Sequence, residues 1–196
     1  MFLFFKKELV TKMNSRQALL TAGGIALNLT LAKLAVLSSL PVYFDSVATI
    51  ISVALLPWYL SVTIAVGTSL LGSIIIDPHL AAYCATQLAI ALAAVLCFRA
   101  GLLNSWPEAL LSGLLIALCA VIVSAPVTVL LFGGITWSET TVVTAILLES
   151  GKNLWKSVLQ GAILIESIDK TGASLLAYVV LKHFPLQHTE NNAGQE

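Results

Sequence analysis

The chain predicts an all-α integral membrane protein, a bundle of six transmembrane helices, and three observations carry that expectation. Of its 196 residues, 58% are hydrophobic and only 10% charged, with a mean hydropathy of +0.95. Soluble domains carry roughly 25% charged residues, so a water-facing surface could not be covered from this composition. Apolar runs at 17–40, 80–98 and 109–132 are near or above the ~20 residues that cross a bilayer as a helix. Alternation with the strand period is absent, which argues against a barrel.

Each element follows from local signals. The apolar residues 1–5 precede Lys6 and Lys7 instead of following a basic segment, and no small-residue cleavage site comes next, so the first helix is expected to stay in the mature protein. Lys6, Lys7, Lys12 and Arg16 against Glu8 alone place the segment 1–16 in the cytoplasm by the positive-inside rule. Helix one then runs outward to Pro41. From 46 to 76 the chain has no charge and is broken at Pro57-Trp58-Tyr59. Proline disfavours helix in the residue before it, and Trp and Tyr favour interfaces, so two short spans turning at Pro57 are read here, although hydropathy alone leaves one long kinked span and a five-helix count open. Two spans put Asp77-Pro78-His79 outside. Helix four descends to Arg99, helix five rises from about Glu108 to Phe132, and helix six descends from about Trp155 to His183. Residues 17–184 thus form one six-helix domain, and 185–196 a polar cytoplasmic tail. Gly133-Gly134 reads as a flexible turn, and 138–156 as an external, partly amphipathic segment.

Several function classes find no support. Cys84, Cys97 and Cys119 lie in apolar runs at no metal-like spacing, where packing is the usual fate of a cysteine. His79, His183 and His188 stand apart, and no serine sits in a nucleophile-elbow pattern, so no catalytic constellation and no cofactor is expected. No Gly-rich phosphate loop occurs, and a formal charge of zero without a basic patch argues against nucleic acid.

Other residues are candidates for contacts. Ala18, Ala22 and Ala26 recur every fourth position, and such a stripe of small side chains lets a second helix approach closely in lipid, whether from this chain or from a partner subunit. Lys33 lies about 10 Å below the outer end of helix one, and Glu166 about 16 Å below that of helix six, at ~1.5 Å per residue. Charges within a membrane are costly unless paired, so an ion pair between Lys33 and Glu166 is expected, with ligand contact as the alternative. Glu166 and Lys170 share a helix face. At the outer face, Tyr43, Phe44, Asp45, Asp77, His79, Thr136, Trp137, Glu149, Lys152 and Asn153 converge in the six-helix layout, with the aromatic and polar composition of a ligand site. Capping of helix two is an equal explanation for Asp45 and Ser46.

With these residues in hand, the sequence resembles the substrate-binding S components of energy-coupling factor (ECF) transporters. The resemblance runs from the Ala18-Ala22-Ala26 stripe through 40–49, Ser124-Ala125-Pro126 and 132–136 to Asp169-Lys170 and Phe184-Pro185, and rests on their order and spacing. It implies six helices, an extracellular pocket that captures a vitamin or related micronutrient, and docking of the alanine stripe on a transmembrane coupling subunit that works with two cytoplasmic ATPases. A bacterial or archaeal cell membrane, with both termini cytoplasmic, is implied as well. Tyr43, Phe44, Asp45, Ser46, Thr49, Trp137, Glu149, Lys152 and Asn153 would hold the ligand, with Lys33 and Glu166 at its floor. The chain departs from the family at Pro57-Trp58, where a glycine would precede the proline, and at Gly67-Thr68-Ser69, where an asparagine is frequent, so no single vitamin is carried over. The rival expectation is a self-sufficient ion-coupled secondary transporter with Lys33, Glu166 and Asp169 as the relay; the lack of an evident inverted repeat weighs against it.

Overall fold

Asn14 sets the start of the first helix. Its side chain accepts from the Gln17 backbone N–H at 2.8 Å, while the Gln17 side chain accepts from the Asn14 N–H at 3.1 Å. This reciprocal cap satisfies two donors that the helix leaves orphaned. Helix α1, Ser15–Leu37, therefore begins ahead of the hydropathy boundary. The structure, a computed structural model, describes residues 13–38, 40, 42–136 and 139–183. Most of the expected cytoplasmic segment 1–16, the whole tail 185–196, and Trp137 lie outside the described residues.

Among the described residues every element is helical. After α1 come α2 (Val47–Ser52), α3 (Trp58–Ile75), a 3-10 turn (Pro78–Tyr83) running directly into α4 (Cys84–Arg99), α5 (Trp106–Phe132), α6 (Glu139–Glu149) and α7 (Leu154–His183). Pro57 ends one segment and starts α3 at the expected place. Ser105 and Pro107 begin α5, and Gly133 ends it in the left-handed region at φ 60°. The Gly133 and Gly134 N–H groups return to Val129 and Thr128 at 3.1 and 2.9 Å, so the expected flexible turn is a hydrogen-bonded helix cap.

Among the described residues, four stretches are long and apolar enough to cross a membrane: Ser15–Leu37, Trp58–Ile75, Pro78–Arg99 and Trp106–Phe132. The second span read from the sequence differs most. Its helix α2 has six residues, about 9 Å of rise against a hydrocarbon core of ~30 Å. Tyr43 and Asp45, just before α2, line a cavity at one end of the bundle, whereas Ala54, Leu55 and Leu56, just after it, line a groove at the other with Asn14, Arg16 and Lys182. The segment 43–56 therefore runs from end to end with one short helix on the way. Irregular backbone at such depth is tolerated only where protein covers it. Here Val47, Ala48, Thr49, Ile50 and Ser52 are all buried, and the Ala48 N–H donates to Asn28 Oδ1 at 2.8 Å.

Helix α7 is 30 residues long but holds Lys156, Glu166, Asp169, Lys170 and Lys182. Its contact with α5 is the most extensive between any two helices described. Gly113 allows it, because a Cβ there would collide with the Thr171 backbone and lie 2.9 Å from the Lys170 carbonyl oxygen. Small residues continue the seam with Ala109, Ala120, Ala173 and Ala177, all buried, which is how helices gain contact in lipid. Large apolar residues such as Leu19, Ile74, Ile122 and Leu130 point outward at 74%, 81%, 63% and 72% exposure, as a lipid-facing surface requires.

The alanine stripe does not pack inside the bundle. Ala22 and Ala26 are exposed and Ala18 is half-buried. The close approach of α1 to α3 runs through Gly24 against Ile64 and Gly67 against Ile25 instead.

Candidate functional site

The middle of α7 brings three charged residues to one face, because Glu166, Asp169 and Lys170 stand three and four positions apart. All three are buried, with Asp169 at 0% and Lys170 at 1% exposure. Lys170 Nζ donates to Asp169 Oδ2 at 2.6 Å and to Asp45 Oδ1 at 3.2 Å, and lies 3.6 Å from Glu166 Oε2 and 5.7 Å from the centre of the Tyr43 ring. One ammonium therefore gathers three carboxylates. Asp169 holds the preceding loop with its other oxygen, which accepts from the Tyr43 and Phe44 N–H groups at 3.0 and 2.8 Å. Phe44 sits at φ 52°, a conformation that bulky residues rarely adopt, and this double hydrogen bond fixes it there. Tyr43 also donates its hydroxyl to Thr140 of α6 at 3.2 Å.

This cluster forms one side of a cavity of about 140 Å³, well above the space a single water molecule needs. Leu29, Ala32 and Val36 of α1, Ile76, Leu80 and Ile90 form its apolar walls, and Asp45, Gln87, Glu166, Lys170, Thr86, Ser124 and Thr128 supply its polar groups. Gln87 Nε2 donates to Asp45 Oδ2 at 2.5 Å. Four buried side-chain atoms on this wall have no hydrogen-bond partner among the described residues: Thr86 Oγ1, Gln87 Oε1, Ser124 Oγ and Glu166 Oε2. Orphaned hydroxyls occur elsewhere in the bundle as well, Ser61 and Ser112 among them, but these four atoms belong to residues that line a cavity, where a ligand could bond them. Pro126 lies between Ser124 and Thr128 inside α5; it removes one helical hydrogen bond next to the cavity.

Of the residues expected at the site, Tyr43, Asp45 and Glu166 line the cavity, as does Asp77. Others do not. Thr49 is fully buried and joined to Asn28 Nδ2 at 3.0 Å; it belongs to a packing network with Thr68. Phe44 packs on the apolar core. Ser46 precedes α2 but makes no capping hydrogen bond, and the Asp45 carboxylate is held by Gln87 and Lys170, so side-chain capping of α2 is not their role. Glu149, Lys152 and Asn153 are exposed and none lines the cavity. Asn153 caps α7 by accepting from the Lys156 N–H at 2.9 Å, and Lys152 donates to Gln160 at 2.6 Å. Helix α6 turns Thr140 and the buried Thr144 inward instead.

The expected pair between Lys33 and Glu166 is corrected outright. Lys33 is exposed on the bundle surface, and the ammonium beside Glu166 belongs to Lys170. Depth along a helix had placed both residues at compatible heights; the face that each occupies separates them. Gln87, Lys170, Thr86 and Ser124 were not singled out as site residues. The α7 spacing pointed to Lys170, whereas nothing in an apolar run marks which polar residue faces inward. No protein-family model, curated protein or solved structure matches the chain.

Proposed function

We propose that the chain is the membrane-embedded substrate-capture subunit of an ATP-driven importer of the ECF type, taking up a vitamin or related micronutrient. The observation that carries this reading is the cavity with its four unpartnered polar atoms, walled by Tyr43 and Asp45 of a loop that Asp169 and Lys170 pin down. The sequence resemblance supports it, and so does the division of labour between the two ends of the bundle. The cavity lies at the end where α1 finishes, while Ala22 and Ala26 lie exposed in the first half of α1, as a docking stripe requires.

In this reading the chain makes six passes: α1, the segment around α2, α3, the 3-10 turn with α4, α5, and α7. The amino terminus and tail face the cytoplasm of a bacterial or archaeal cell, and the cavity faces outside. A transmembrane coupling subunit docks on the alanine stripe and two cytoplasmic ATPases supply the energy. The ion-coupled alternative has lost one of its three relay residues, since Lys33 stands on the surface away from Glu166.

Affinity purification of the tagged chain from its native membrane tests the proposal. A membrane coupling subunit and two ATPases should co-purify, and Ala22→Trp should release them while leaving the chain folded. Uptake by the chain alone, driven by an ion gradient with no ATPase present, overturns it.

A further inference from the structure

Resting on the capture reading, we propose that the cavity takes a small organic cation bearing N–H donors, a protonated amine or amidine, on an apolar body. The first ground is charge. Asp45 and Glu166 line the cavity with Asp169 directly behind them, and Lys170 is the sole basic side chain among the described residues that line it. Three carboxyl groups share one ammonium in a buried interior, where negative charge is costly without a counter-charge and an incoming cation is correspondingly favoured.

The second ground is independent of charge and concerns hydrogen-bond direction. Gln87 is 4% exposed, and its amide orientation is fixed because a carboxylate offers acceptors only, so the Asp45 side chain must receive the NH₂ group. The carbonyl oxygen of Gln87 is then an acceptor that nothing in the described chain supplies with a donor. Glu166 Oε2 also accepts no hydrogen bond among the described residues; it is ion-paired with the Lys170 ammonium at 3.6 Å, beyond hydrogen-bond distance. The Thr86 and Ser124 hydroxyls can turn either way, so the fixed groups on this wall left without a hydrogen bond are these two acceptors, and an N–H cation supplies them with charge and donors together. Leu80 and Ile90 leave room for the ligand's apolar part. An inorganic ion fits poorly, because no group of three or more His, Cys, Asp or Glu side chains among the described residues is placed to hold a metal.

Four matched probes on the purified full chain in zwitterionic nanodiscs test this: benzylamine, benzyl alcohol, benzoate and benzyltrimethylammonium, each at millimolar concentration, read by melting temperature. Benzylamine should raise it by about three times the shift of any of the others, since only it offers both charge and donors. E166Q should cut the benzylamine shift to that of benzyl alcohol; the wild-type series decides the matter even if that variant fails to fold. Equal shifts from benzyl alcohol or benzoate overturn the proposal, as does the absence of a benzylamine shift or an equal shift from magnesium chloride alone. Benzyltrimethylammonium matching benzylamine overturns the donor requirement. The capture reading fails separately: amine binding without co-purifying ATPases sinks the importer and leaves the ligand class standing, and partners with no amine preference do the reverse.

Discussion

Two polar networks lie inside this apolar bundle, one centred on Asn28 and one on Lys170. Asn28 is fully buried and joins three elements: its Nδ2 donates to Thr49 and Thr68 at 3.0 and 3.2 Å, and its Oδ1 accepts from the Ala48 N–H at 2.8 Å. None of its polar atoms is left over. The Lys170 network is also buried and also ties three elements together, yet Gln87 Oε1 and Glu166 Oε2 accept no hydrogen bond among the described residues, and a cavity opens beside them. A closed network stiffens a fold and specifies its packing, whereas an open one keeps interaction energy in reserve for a ligand. Burial of polar groups is therefore a poor guide to function in this chain, and completeness of their pairing a better one.

The largest test of the contrast removes the centre of the open network. Lys170→Met should destabilise the protein by about 3–5 kcal/mol, because it leaves three buried carboxylates without their counter-charge. Loop 42–46 should loosen with it, since Asp169 and Asp45 lose the group that orients them. Chemical denaturation in nanodiscs measures the first effect and protease sensitivity near Tyr43 the second. An unchanged transition would mean that the cluster contributes nothing to the fold.

Asn28→Leu should come next, at about 1–3 kcal/mol, for the lost bonds and the orphaned Ala48 N–H. Any effect on ligand affinity should follow from this destabilisation alone and vanish when affinity is measured well below the melting temperature. Thr49→Val removes one partner of the same network and should cost less, about 0.6–1.7 kcal/mol, the range of single hydrogen bonds between helices in a membrane. A Thr49→Val loss of affinity without loss of stability would return Thr49 to the ligand site and blur the distinction between the two networks.

The sequence discloses these networks unequally, for physical reasons. Spacing along a single helix is legible: Glu166, Asp169 and Lys170 fall on one face by the 3.6-residue period, and Pro41 to Ser46 stands out as a polar interruption. What joins them is not legible, since Asp45 reaches Lys170 across 125 positions of chain. The second span is the least legible, because hydropathy counts apolar residues without testing for helix; the 46–57 stretch is largely buried in protein and holds one helix of six residues. Gln87 left no mark, one amide in an apolar run whose meaning comes only from Asp45.

Lys33 gives the smallest expected effect and separates depth from facing. Thr21, Asn28, Ala32 and Ala35 define the buried face of α1, and Lys33, one position after Ala32, is turned about 100° from it. Its long side chain can reach the membrane interface without a partner. Lys33→Gln should change stability by no more than about 0.5 kcal/mol, as for other surface positions, and leave ligand affinity and uptake at wild-type values. Were uptake to fall while the melting temperature held, Lys33 would be moving charge during transport, and the ion-coupled reading would recover the relay residue that its exposed position now denies it.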